Sequence, residues 1–239
     1  MKVLKSECLS SIVTANLNAA SVFNYYGIDF YSRGTRTLEH ACIDENVPIT
    51  NILEELWDLK SRRDTVPDFT HMSMSKLSSH ILQTHHKFTE KKLVFIKHTI
   101  ERLVGMHGED FPNLPQIKKT FEDLSVYLTV HMRHEEFVVF PYIQKTLRNP
   151  SASRSMLRTI HGPINSMEKD HDHEVTLLKM LATLTSNFTP QPNADFAVKT
   201  TYSSMKELVE DLKIHIHLEN NILFPKALNL IRVLEKNLN

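Results

Sequence analysis

Glycine is scarce in this chain, five in 239 residues, and alternating runs of β-branched residues are few. Sandwiches and barrels need both, for their turns and their strands, so the shortage points to helices throughout. Cysteine is scarcer still. Cys8 and Cys42 are too few for a disulfide framework, which agrees with a reducing compartment and makes the cytoplasm the expected location. No apolar run approaches the ~20 residues that span a bilayer. Lys2 and Lys5 are followed by Glu7, Asn16 and Asn18, which spoil a signal-peptide core. Net charge is absent as well, since 28 Lys and Arg balance 28 Asp and Glu. That balance removes any electrostatic case for nucleic acid or an anionic membrane as partner.

What the chain has in quantity is histidine, 14 in all. Two segments, HMRHEEFVVFPYI (131–143) and HIHLENNILFPKA (215–227), share His, then Glu four residues on, then Phe-Pro. The matching positions are His131 and His215, Glu135 and Glu219, Phe140 and Phe224, Pro141 and Pro225, each pair 84 residues apart. On an α-helix, residues i and i+4 share a face about 5–6 Å apart. Each copy therefore offers an imidazole and a carboxylate to one point. His86 and His171 stand 85 residues apart, nearly the same offset. The chain thus reads as two helical hairpins, each with a lone His on one helix and His plus Glu on the other. Face to face, they point four His and two Glu inward. Six ligands exceed the four of a structural zinc and suit two ions bridged by the carboxylates.

The run 1–65 reads as a small helical domain. SIVTANLNAASVFNYY is an amphipathic run ended by Gly27, Thr37 can cap LEHACIDE, and Pro48 opens a third helix. A module of this size is marginal alone. The polar stretch 61–70 is the linker, and residues 66–239 read as an up-down four-helix bundle. Its second helix starts near Pro115 and is expected to break or kink at Pro141. The third starts near Gly162-Pro163, and Asn193 is a candidate cap for the last. Phe121, Leu124, Val126, Leu128, Phe137, Leu212, Ile216 and Leu218 are expected in the core around the site. All six ligands lie beyond the linker, so a fragment from about Phe69 is expected to fold and keep its metal.

Each candidate has a plainer reading. His131 with Glu135 could be a surface pair, but its duplication favours ligation. His171 lies in a polar stretch and is raised only by its repeat position. His86 competes with His85 and is preferred by the offset. His134 is placed as an accessory residue, and His107 in a loop where it could gate or supplement the site. His173 and His217, two residues from their neighbours and roughly 200° round the helix, are expected to be exposed. Asp170 and Glu168 are surface acids unless one orients a ligand histidine. Imidazole and carboxylate without thiolate suit iron best, then manganese or zinc.

These residues in this order resemble hemerythrin-like domains, and more closely the repair of iron centres family. The resemblance implies a four-helix bundle holding a non-haem di-iron site, with His86, His131, His171 and His215 as terminal ligands and Glu135 and Glu219 bridging. Oxygen-carrying hemerythrins use one more histidine, and no fifth one here sits in the repeat. Residues 8–60 resemble the family's short N-terminal domain through YYGIDFYSRGTRTLEHAC (25–42). Where that domain places two adjacent cysteines, this chain has Tyr31 and Ser32, neither able to act as a thiolate. The resemblance implies repair of iron–sulfur clusters damaged by nitrosative or oxidative stress, by iron donation or by binding and reducing nitric oxide. The alternative is a module that holds O₂ or NO without turnover. Implied partners are those gases and damaged iron–sulfur proteins, with a homodimer as a further candidate.

Overall fold

The computed structural model describes residues 5–61, 67–107, 112–148 and 161–237. Among these the secondary structure is helical, apart from one isolated bridge between Cys8 and Thr37. The all-α expectation holds. The chain divides into two compact units. One comprises residues up to Leu77 together with Lys213–Val233, and the other Ser78–Leu212 with the residues after Val233.

The first unit opens with α1 (Leu9–Ala15), α2 (Ala19–Tyr25), α3 (Leu38–Asp44) and α4 (Ile49–Ser61). The single run expected before Gly27 is two helices. Asn16 is extended and its side chain takes the backbone N–H of Asn18 at 3.1 Å, a local bond that competes with the helix. Gly27 closes α2 at φ +71°, where the N–H of Ile28 reaches back to the Phe23 carbonyl at 2.8 Å. Thr37 caps α3 by accepting from the His40 N–H. Leu9, Phe23, Phe30, Leu38 and Ile52 form a small buried core.

The second unit holds the last three residues of α5 (Met74–His80), α6 (Lys87–His107), α7 (Leu114–His134), α8 (Phe140–Arg148), α9 (His161–Leu184) and most of α10 (Phe196–Leu218). α11 (Phe224–Asn237) follows α10. Four long helices share one apolar core: Ile96 and Ile100 from α6, Phe121 and Leu124 from α7, Leu178 and Leu181 from α9, Leu208 and Leu212 from α10. Contacts between helices run in opposite register. Tyr127 meets Asp170 where Thr120 meets Met180, and His85 meets Asp211 where Lys92 meets Glu207. α7 and α9 are therefore antiparallel, as are α6 and α10. This is the up-down bundle expected.

The cap on α10 is Asp195 rather than Asn193. Its carboxylate accepts the Val198 N–H at 2.9 Å, three residues into the helix. His107 is the last residue of α6 rather than part of a loop, and its side chain lies outside the described residues.

Pro141 does not break its helix. Glu135–Val139 forms a π turn that carries the chain from α7 into α8, and Glu219–Leu223 does the same between α10 and α11 before Pro225. A proline ring clashes with the carbonyl four residues back and supplies no N–H. Widening that turn by one residue accommodates both. A third π turn, Ile81–His86, joins α5 to α6. Such turns gather at functional sites, and here His86, Glu135 and Glu219 each stand at an end of one.

Candidate metal centre

The structure brings all six sequence-predicted residues into two groups. Ligand atoms of His86, Glu135, His215 and Glu219 lie within 4.8 Å of one another, and so do those of His131, Glu135, His171 and Glu219. Each group has two imidazoles, and both carboxylates belong to both groups. All six side chains are buried.

Individual spacings fit neighbouring ligands on one ion. His131 Nε2 lies 3.1 Å from His171 Nε2 and 3.2 Å from Glu135 Oε1. His86 Nε2 lies 3.3 Å from Glu135 Oε2, and His215 Nε2 lies 3.2 Å from Glu219 Oε2. Two nitrogens each about 2.1 Å from one ion and at right angles would sit roughly 3.0 Å apart. A hydrogen bond between His131 and His171 is the other way to hold two Nε2 atoms at 3.1 Å, but it would need one ring with its proton on the wrong side for ligation.

Surrounding residues orient the imidazoles. His86 Nδ1 donates to Glu136 Oε1 at 2.9 Å, which puts the Nε2 lone pair on the Glu135 side. The Phe140 ring stacks on His86 with centroids 5.8 Å apart, which gives the repeated Phe-Pro a packing role. Tyr127 stacks on His131 at 6.2 Å, and its hydroxyl donates to the Asp170 backbone carbonyl at 2.9 Å. Burial, then the nearby Asp170 charge, drives the Tyr127 phenol upward, so it stays protonated. Asp170 Oδ2 lies 3.9 Å from His131 Nδ1, outside direct hydrogen-bonding distance.

His85 turns away to Asp211 at 3.0 Å. His134 is half-buried and belongs to neither group, while His173 and Glu168 are exposed. Three expectations are corrected. Val126 and Phe137, both 68 % exposed, are not core residues. Each lies two positions from an inward residue (Leu124 and Leu128 for Val126, Glu135 for Phe137), which on a helix is the opposite side. His217 is fully buried rather than exposed, because residues of α1 and the loop after α2 cover that side of α10. Burial pushes its pKa down to about 4, against a smaller opposing effect from the Phe30 backbone.

Glu136, Tyr127 and the fully buried Glu174 were not singled out from the sequence. For Glu136 a signal existed, an acid next to a ligand acid. For Tyr127 it was the i, i+4 spacing to His131.

Residues 77–227 match the Hemerythrin HHE cation binding domain. The chain belongs to that family. Residues 5–60 match a second domain, ScdA_N, described as a domain of unknown function (DUF542). Among curated relatives, the "Probable iron-sulfur cluster repair protein" of Haemophilus influenzae is 32% identical over 92% of this chain and 96% of its own. The "Iron-sulfur cluster repair protein YtfE" of Dickeya chrysanthemi is 29% identical over 94% and 97%. The protein of that name from Salmonella newport is also 29% identical over 94% and 97%. No described helix of this hemerythrin-family chain is long and apolar enough to cross a membrane.

Proposed function

We propose that this chain is a di-iron protein that takes part in restoring iron–sulfur clusters damaged by nitrosative or oxidative stress. The observation that carries the metal reading is the sharing of Glu135 and Glu219 by two buried groups, each with its own pair of imidazoles. That donor set, with no thiolate, fits a carboxylate-bridged pair of iron ions. His86 and His215 would complete one ion, His131 and His171 the other. The repair role rests on the printed names of relatives that align over nearly their whole length.

The protein's own residues do definite work. Glu136 selects the His86 tautomer, Phe140 and Tyr127 fix the planes of His86 and His131, and the apolar core of the bundle keeps bulk water out. Four protein donors per ion are fewer than the six of an octahedral one. Bound iron would supply reversible one-electron chemistry with room for a small gas such as NO or O₂, or could leave as cargo for a damaged cluster.

The test begins with anaerobic ferrous loading and elemental analysis, where about two irons per chain are expected. One zinc, or no metal after loading, removes the di-iron reading. Addition of the loaded protein to a nitric-oxide-damaged iron–sulfur enzyme should then restore its cluster absorbance. A stable, reversible O₂ adduct without any cluster recovery would favour a gas-binding module instead.

A further inference from the structure

The segment HIHLENN (215–221) places two i, i+4 pairs on the same two turns, and they face opposite ways. His215 and Glu219 form the metal-facing pair. His217 and Asn221, each two residues further on and therefore roughly 200° round, form the other. That second pair is engaged by the N-terminal helices. Asn221 Nδ2 donates to the Tyr31 backbone carbonyl at 3.1 Å and to His217 Nδ1 at 3.2 Å. Since Nδ1 accepts, the His217 proton sits on Nε2, which lies 3.2 Å from Thr14 Oγ1. The Phe30 ring meets the imidazole edge-on at 5.8 Å. Gly34 has no room for a side chain, because a Cβ there would lie 2.6 Å from Asn221 Oδ1 and 2.7 Å from the Phe30 carbonyl.

The location matters because Asn221 lies inside the π turn Glu219–Leu223. A π turn closes i→i+5 hydrogen bonds in place of the i→i+4 bonds of the α turns around it, and such single wide turns gather at functional sites. The Asn221 side chain anchors the middle of that turn, two residues from Glu219. We propose that Thr14, His217 and Asn221 form a brace by which the N-terminal helices position Glu219, and with it His215, for metal binding. These are positioning residues, since none touches the ion. The proposal rests on the ligand set proposed above.

The test uses the full-length chain loaded anaerobically with ferrous iron. Thr14→Val keeps shape and removes the hydroxyl, Thr14→Ser restores it, and Asn221→Leu removes both Nδ2 hydrogen bonds while keeping the branched four-atom side-chain skeleton. The measurements are iron per chain, the rate of iron loss to a chelator, and the Mössbauer doublets of the two irons. Thr14→Val and Asn221→Leu should lose one iron about tenfold faster than wild type and alter one doublet while leaving the other in place. Thr14→Ser should behave as wild type. Wild-type loss rates and doublets in both variants would overturn the brace. If Asn221→Leu loses helicity, the Thr14→Val and Thr14→Ser pair decides the matter alone. A wild-type protein that holds no second iron would instead remove the di-iron reading on which the brace rests.

Discussion

At the scale of single residues, the site sorts side chains by the face of the helix they occupy more than by their chemical type. His171 and His173 are the same residue two positions apart, yet one is fully buried and the other is exposed beside the Tyr127 ring. Replacing Glu135 or Glu219 by Ala should weaken iron binding at least tenfold, because in the proposed di-iron site a shared carboxylate would serve both ions. His173→Ala should leave iron content unchanged. Elemental analysis of the three purified variants checks the assignment, and equal iron in all of them would overturn it. Glu136→Gln falls between these cases. A neutral amide is a weaker acceptor for the His86 proton and can present its NH₂ instead. Iron loss to a chelator should accelerate about tenfold while the stoichiometry at saturation stays at wild type.

At the scale of elements, three of the six candidate ligands, His86, Glu135 and Glu219, stand at the ends of π turns. Pro141 and Pro225 exclude the regular α continuation at two of them, so each wide turn is written into the chain six residues after its glutamate. Pro225→Ala should leave the fold intact but let the turn relax toward α geometry, which rotates Glu219 off its pair. Reduced iron affinity with unchanged far-UV circular dichroism is the expected result, and unchanged affinity would mean the turn is held by packing alone. Capping gives a simpler case. Asp195→Ala should cost about 1 kcal/mol, read as a lowered Tm, whereas Asn193→Ala should cost almost nothing. The expectation of Asn193 erred by two residues because both side chains can cap, and only the register of the helix chooses between them.

At the scale of the whole molecule, the N-terminal helices are more than an appendage. Lys213–Val233 belongs to the same compact unit as the residues up to Leu77, and Lys226 Nζ donates to the carbonyls of Phe69, Thr70 and Met72. The expectation for a fragment starting near Phe69 therefore reverses. It keeps all six candidate ligands, but it exposes the buried face of His217 and loses the partners of Asn221. Such a fragment should aggregate or hold iron poorly, as size-exclusion chromatography and elemental analysis would show. A monomer with two irons would contradict this. Tyr31 and Ser32 are also committed structurally. Tyr31 is buried against Phe30 with Lys213 Nζ over its ring, and Ser32 Oγ donates to Asp29 at 2.6 Å. Changing both to Cys should lower stability by about 1–3 kcal/mol, measured by denaturant unfolding, without altering the iron count.

The all-α class, the paired His-x-x-x-Glu steps and the identity of the six converging residues were legible in the sequence because each is a matter of spacing. Helical period converts an interval of four into a shared face, and duplication at a constant offset separates a ligand pair from a chance one. What no spacing could supply was the surroundings of each face. His217 reads as exposed by the same rule that makes Val126 exposed, and both lie two positions from an inward neighbour. Only tertiary structure separates them, by packing Thr14 and Phe30 against one and leaving the other 68 % exposed. The same holds for Glu136, whose bond to His86 joins residues 50 apart in the chain. Local periodicity fixes which way a side chain points, and the fold alone determines what it meets there.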